Sequence, residues 1–186
     1  MARISLDPPR TPLIRITEWY SRRKYGKVLD PGKAVGHNPK VLMSYARFEQ
    51  SVAKWKALDP GLKHLAVMVS AARIGCSWCV DFSHWEAEGL GLPMDRIRLV
   101  PAWRDHADAF GELELWVMEY AEAMTDTEPT VTDALAGKLL GRLGEPAFVE
   151  LTAIVAVENL RSRINSALGL TSQGFSDTCA VRPANP

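Results

Sequence analysis

Cysteine is scarce in this chain: three in 186 residues, Cys76, Cys79 and Cys179. Three cannot form a disulfide framework, which excludes a small domain stapled by cross-links. Net charge is absent too, because 22 Lys and Arg balance 22 Asp and Glu. A nucleic-acid binder shows a basic excess or stripe, and a protein held on anionic lipid shows a polybasic block. Arg22-Arg23-Lys24 is only a short cluster, read as a solvated face. No run approaches the ~20 apolar residues of a membrane span. The first thirty residues lack the apolar core of a secretory signal, so a cytoplasmic location is expected. What the chain does have is ordinary for a soluble globular protein: 47% hydrophobic and 24% charged residues, in a length that suits one domain.

Residues 1–37 are rich in Pro, Gly and Arg and read as an arm with little regular structure, in which Ile14 to Trp19 could form a short helix or strand. Such an arm suggests packing on a neighbour and hence a homo-oligomer. A domain over residues 38–170 follows, then a polar, loose tail over 171–186. The domain opens at Asn38-Pro39, a capping side chain followed by a residue preset for the first helical turn. Val41, Tyr45, Phe48, Val52 and Trp55 then recur at helical spacing, predicting a helix to about Leu58 with that stripe in the core. Asp59-Pro60 repeats the start signal for a central buried helix to about Ile74, which Gly75 breaks. Further helices are expected over Cys79 to Glu88, Pro93 to Val100, around Leu113 to Met124, Thr132 to Leu143 and Glu145 to Leu168. No fixed-period repeat and no period-2 strand interrupts them. The expectation is an all-α single domain of six to eight helices.

The chemistry-bearing feature is Gly75-Cys76-Ser77-Trp78-Cys79-Val80-Asp81-Phe82-Ser83-His84. Two cysteines three apart at a helix start bring their sulfurs within bonding reach. The helix N-terminus carries partial positive charge and free N–H groups, which favour thiolate over thiol. This suits a reversible dithiol/disulfide couple. Two other readings fit the same residues: inert buried cysteines, and a zinc site in which His64 and His84 join the pair. On a regular helix Ser83 lies about 40° around from Cys79 and His84 about 140°. Ser83 therefore shares the sulfur's face, while His84 is expected at the surface or against a partner. Asp81 is expected to cap the helix or face solvent. Cys179 reads as a free surface thiol of the tail.

The helical setting, the Cys-x-x-Cys opening a helix, the Leu58-Asp59-Pro60-Gly61-Leu62-Lys63 entry and the closing Asn159-Leu160-Arg161-Ser162-Arg163-Ile164-Asn165 resemble the alkylhydroperoxidase D and carboxymuconolactone decarboxylase family, from about His37 to Leu170. The resemblance implies the helical alkylhydroperoxidase D-like fold, an oligomer, and thiol-dependent reduction of hydroperoxides. Cys79 matches the peroxidatic sulfur and Cys76 the resolving one. No cofactor is implied beyond an external thiol reductant, which in known members is a dihydrolipoyl protein. The chain departs from the thiol-active pattern in its proton relay. His64 stands where the family has Glu, Ser83 where it has His, and Trp78 where some members have His between the cysteines. His64, a residue that titrates near neutrality, and Ser83 are the remaining candidates to tune the thiolate. Two alternatives stand beside the peroxidase: a decarboxylase-like enzyme on a small organic acid, with Arg73, Arg161 and Arg163 as the nearest cationic groups, and a non-catalytic redox-sensing oligomer whose relay has decayed.

Overall fold

The computed structural model describes residues 2–176. Nine α-helices follow one another: α1 Pro12–Tyr25, α2 Asp30–Val35, α3 Pro39–Val52, α4 Pro60–Ile74, α5 Ser77–Gly89, α6 Met94–Ile97, α7 Glu112–Thr125, α8 Asp133–Leu143 and α9 Glu145–Ala167. A 3-10 segment over Val100–Ala109 joins α6 to α7. The described residues contain no strand, as expected for an all-α fold. The helices after residue 37 fall within the expected number. The two extra ones lie in the arm, which is more regular than its Pro and Gly content suggests. There Thr11 Oγ1 accepts from the Ile14 N–H, Pro12 occupies the first turn, and Gly26 closes α1 at φ 76°.

Local signals set most boundaries. Asn38 caps α3 through the Lys40 and Val41 N–H groups, and Asp59 caps α4 through those of Gly61 and Leu62. Gly75, at φ 80°, closes α4 in the left-handed region and gives its N–H to the Ala71 and Ala72 carbonyls. One boundary differs from expectation. α3 ends at Val52 rather than near Leu58, because long-range partners take the backbone groups a longer helix would use. The Glu150 carboxylate accepts from the Ala57 N–H at 2.6 Å, and Lys63 Nζ donates to the Trp55 carbonyl at 2.7 Å.

α4 is the central helix, packed chiefly on α7 and α9 and then on α5. Its Ala66, Met68 and Ala71 are fully buried, and small residues on several sides let neighbouring helices approach closely. Met118, Leu139, Leu151 and Val155 complete the main core. The α3 stripe is only partly core. Leu42 and Val52 are buried, whereas Val41 and Phe48 are 47% and 37% exposed. The buried face is rotated by about one residue from the predicted one. Ile16, Trp19 and Tyr20 of α1 are exposed as well. Among the described residues no helix is long and apolar enough to cross a membrane.

Candidate active site around Cys76 and Cys79

The left-handed turn at Gly75 delivers the chain from the end of α4 directly into the cap of α5. Cys76 is that cap: its Sγ accepts the Cys79 N–H at 3.2 Å. Cys76 and Cys79 are joined as a disulfide and are 1% and 4% exposed. From α9, Asn165 Nδ2 donates to Cys79 Sγ at 3.3 Å. A donor on a sulfur is worth most when that sulfur is a thiolate, because a hydrogen bond to an ion is about twice as strong as a neutral one. Asn165 therefore favours negative charge at Cys79, while the N–H group at the start of α5 is given to Cys76. Nothing in the sequence assigns Asn165 this role. The signal was a polar row, Glu158, Ser162 and Asn165, at spacings of four and three, all three buried on a long helix.

His64 and Ser83 are buried on the facing sides of α4 and α5, and neither hydrogen-bonds a sulfur among the described residues. The His64 ring meets the Ser83 backbone and His84 instead, and its Nε2 has no hydrogen-bond partner. Burial, and after it His84, push the His64 pKa down to about 4, with the Ser83 backbone opposing both. His64 is therefore neutral at physiological pH. His84 corrects the expectation of a surface residue: it is 3% exposed, its Nδ1 is unpartnered, and burial lowers its pKa against the pull of Asp81.

A stability test follows from His64. Its folded pKa lies below the ordinary 6.5, so the unfolded chain binds the extra proton as pH falls through that window. The stability it contributes is complete above the unfolded value and drains away toward pH 4. Urea melts should show the wild type losing about 2 kcal/mol between pH 7 and pH 5 from this group. His64→Gln should have a visibly flatter acid limb; equal slopes would refute the assignment.

Asp81 also corrects its reading, since it neither caps nor faces solvent. It is fully buried and gathers the segment after α9. Its carboxylate accepts from Ser172 Oγ at 2.9 Å and from the N–H groups of Gln173, Phe175 and Ser176 at 2.9, 3.0 and 2.7 Å. Gln173 extends the latch: its Oε1 accepts from Trp78 Nε1 and from the Asp30 N–H, while its Nε2 donates to the Val28 carbonyl. Phe175 joins Trp78, Phe82, Trp85 and Tyr25 in an aromatic cluster on the outer side of α5. The part of the tail that is described is thus a strap over the motif, not a loose end. Cys179 lies outside the described residues. No group of three or more His, Cys, Asp or Glu among them is arranged to hold a metal ion.

The sequence profile of the carboxymuconolactone decarboxylase family matches residues 39–123. YnjA of Escherichia coli K12, a protein of unassigned function, is 34% identical over 172 residues, covering 90% of this chain and 94% of its own. The chain belongs to the carboxymuconolactone decarboxylase family. Its fold recurs in more distant solved structures. The debrominase Bmp8 superposes with a TM-score of 0.78 at 17% identity, over 91% of this chain and 92% of its own. ATU0492 of Agrobacterium tumefaciens, described as a putative antioxidant defence protein AhpD, gives 0.69 at 22% identity, over 74% and 94%. A peroxidase-related protein of Silicibacter sp. TM1040 gives 0.78 at 14% identity, over 92% and 91%. At these identities the likeness speaks for the fold. In this family member the Cys-x-x-Cys pair stands at the start of α5.

Proposed function

We propose that this family member is a thiol-dependent hydroperoxide reductase. The observation that carries the reading is the buried Cys76–Cys79 disulfide at the start of α5, with Asn165 donating to the Cys79 sulfur. The Cys79 thiolate attacks the distal oxygen of the hydroperoxide. The O–O bond breaks, the departing alkoxide takes a proton and leaves as alcohol, and Cys79 becomes a sulfenic acid. Cys76 as thiol then displaces water from that sulfenic acid and forms the disulfide. A dithiol reductant restores both thiols by exchange and becomes a disulfide itself. No cofactor enters the cycle. Asn165 holds the thiolate, and Ser83 and neutral His64 shape the apolar side of the site.

The decarboxylase-like alternative needs cations free to bind a carboxylate. Arg73 is spent on Asp126 and Glu122, and Arg161 on Glu49 and Glu158. Arg163 lies against the Thr125 carbonyl and Asn159. These pairings favour the thiol reading. Its decisive test is peroxide consumption by wild type and by Cys79→Ser with a dithiol reductant present.

Asn165 supplies a second, independent check. In Asn165→Ala the thiolate loses a donor on its charged atom, a loss of order 1.5 kcal/mol or somewhat more. Alkylation of reduced Cys79 by iodoacetamide at pH 7 should slow about tenfold. An unchanged rate would remove Asn165 from the site.

A further inference from the structure

α5 and α9 meet along a line of polar side chains that the thiol chemistry leaves unused. At one end Asn165 of α9 reaches Cys79 of α5. Seven residues back along α9 stands Glu158, 2% exposed, and seven residues forward along α5 stands Glu86, which repels it. Equal steps in opposite directions mean that the helices run antiparallel here. Seven residues are close to two turns, so each row stays on its facing side. Ser162, fully buried, lies between, and its Oγ donates to Glu158 Oε1 at 2.7 Å. Arg161 closes the far end, 3.4 Å from Glu158 Oε2 and doubly bonded to Glu49 of α3. Tyr45 of α3 faces the same cluster, and Lys24 of α1 faces Glu86. On the other side of α5, His64 and His84 meet each other, and Asp81 is taken up by the strap.

Three carboxyls, Glu49, Glu86 and Glu158, therefore crowd one guanidinium; Glu158 is buried, whereas Glu49 and Arg161 remain partly exposed. Burial pushes the Glu158 carboxyl up to about 7 despite the pull of Arg161 and Ser162, and it raises Glu86 as well. At 1.5 Å per residue, Glu158 stands about 10 Å from Asn165 along α9. Two negative charges at that separation and an effective dielectric constant of about 20 disfavour each other by about one pH unit.

We propose that Glu158 is the proton reservoir of the Cys76–Cys79 couple, taking up a proton when Cys79 becomes a thiolate and releasing it when peroxide consumes that thiolate. This rests on the thiol reading above and adds to it the residue that stands in for the missing relay. On reduction, a thiolate of the dithiol attacks Cys76 Sγ, and the S–S electron pair leaves on Cys79. The reductant's second thiolate then displaces Cys76 and closes the reductant's own disulfide. Of the two protons the dithiol gives up, one rests on the Cys76 sulfur and one on Glu158. When peroxide consumes the thiolate, the Glu158 carboxyl again prefers its charged form, and its proton balances the departing alkoxide through solvent. Glu158 touches no reacting atom; it is a positioning residue that acts along Ser162 and Asn165.

Carbon-13 NMR titration of the glutamate carboxyls in oxidised and reduced wild type reads the coupling directly and needs no variant for the comparison. The Glu158 midpoint should rise by about one pH unit on reduction; equal midpoints would overturn the proposal. Iodoacetamide alkylation of reduced Cys79 from pH 5 to 9, read by mass spectrometry, supplies the kinetic arm. Wild type should show an inflection near neutrality. Glu158→Gln should lose it and react up to about tenfold faster at pH 8, since the competing charge is gone. Glu158→Asp should restore it. Superimposable curves for wild type and Glu158→Gln would overturn the reservoir while leaving the thiol reading intact. A wild-type Cys79 that neither reduces nor alkylates would overturn both.

Discussion

Serine at position 79 should abolish hydroperoxide turnover, by about a thousandfold or more against wild type with the same dithiol reductant. A serine hydroxyl at neutral pH offers no anion to attack an O–O bond, and neither the α5 N-terminus nor Asn165 can create one from so weak an acid. Serine at position 76 should fail differently. Pre-reduced and then freed of reductant, Cys79 can still react once, so each chain should consume one peroxide and stop as the sulfenic acid, trappable by dimedone and visible by mass. The pair of variants separates attack from resolution. Equal slow consumption by wild type and Cys79→Ser would sink the peroxidase reading. A burst from Cys79→Ser but none from Cys76→Ser would reverse the roles of the two sulfurs.

Asp81→Ala should be the most destabilising single change in the strap, by about 3 kcal/mol. The carboxylate is wholly buried and gathers three backbone N–H groups and one hydroxyl from residues 172–176. Alanine fills none of that volume, and it leaves those donors to find water or other partners. Urea melts would give the loss, and hydrogen exchange at residues 173–176 would show whether the strap is what comes away. The same variant should let a small dithiol reduce the disulfide faster, because Trp78 loses its hold on Gln173 once the strap detaches. An unchanged urea midpoint with unchanged exchange would mean that the strap is held by its aromatic contacts alone.

The chain announces its helices because each start is local chemistry. Asn38, Asp59 and Thr132 each bind an amide within their own first turn, so a window of a few residues reveals them. It conceals what depends on distant partners. The end of α3 is decided by Glu150, ninety-three residues away from Ala57. Asp81 looks like a solvent-facing acid until the residues that bind it, ninety-one and more positions later, are placed. His84 looks peripheral from its angle on α5, yet α4 packs over that side as well. Of the candidate site, the two cysteines were legible from spacing; His64 and Ser83, candidates through the family resemblance, are buried nearby but bond neither sulfur among the described residues. Asn165 was not legible, since one amide in a long helix has no spacing to a cysteine eighty-six residues earlier. Its polar row with Ser162 and Glu158 becomes telling only when that helix is known to be buried.

The partners of the cysteine motif come late. Translation runs from the N-terminus, so α5 leaves the ribosome well before Asn165 and long before residues 172–176. During that interval Asp81 has none of its strap donors, Trp78 lacks Gln173, and the two thiols face whatever oxidant or reductant the compartment holds. The oxidation state in which the pair is first enclosed is therefore set during synthesis. A nascent chain arrested short of residue 165 would report it, because there the thiols still answer to the medium rather than to the fold.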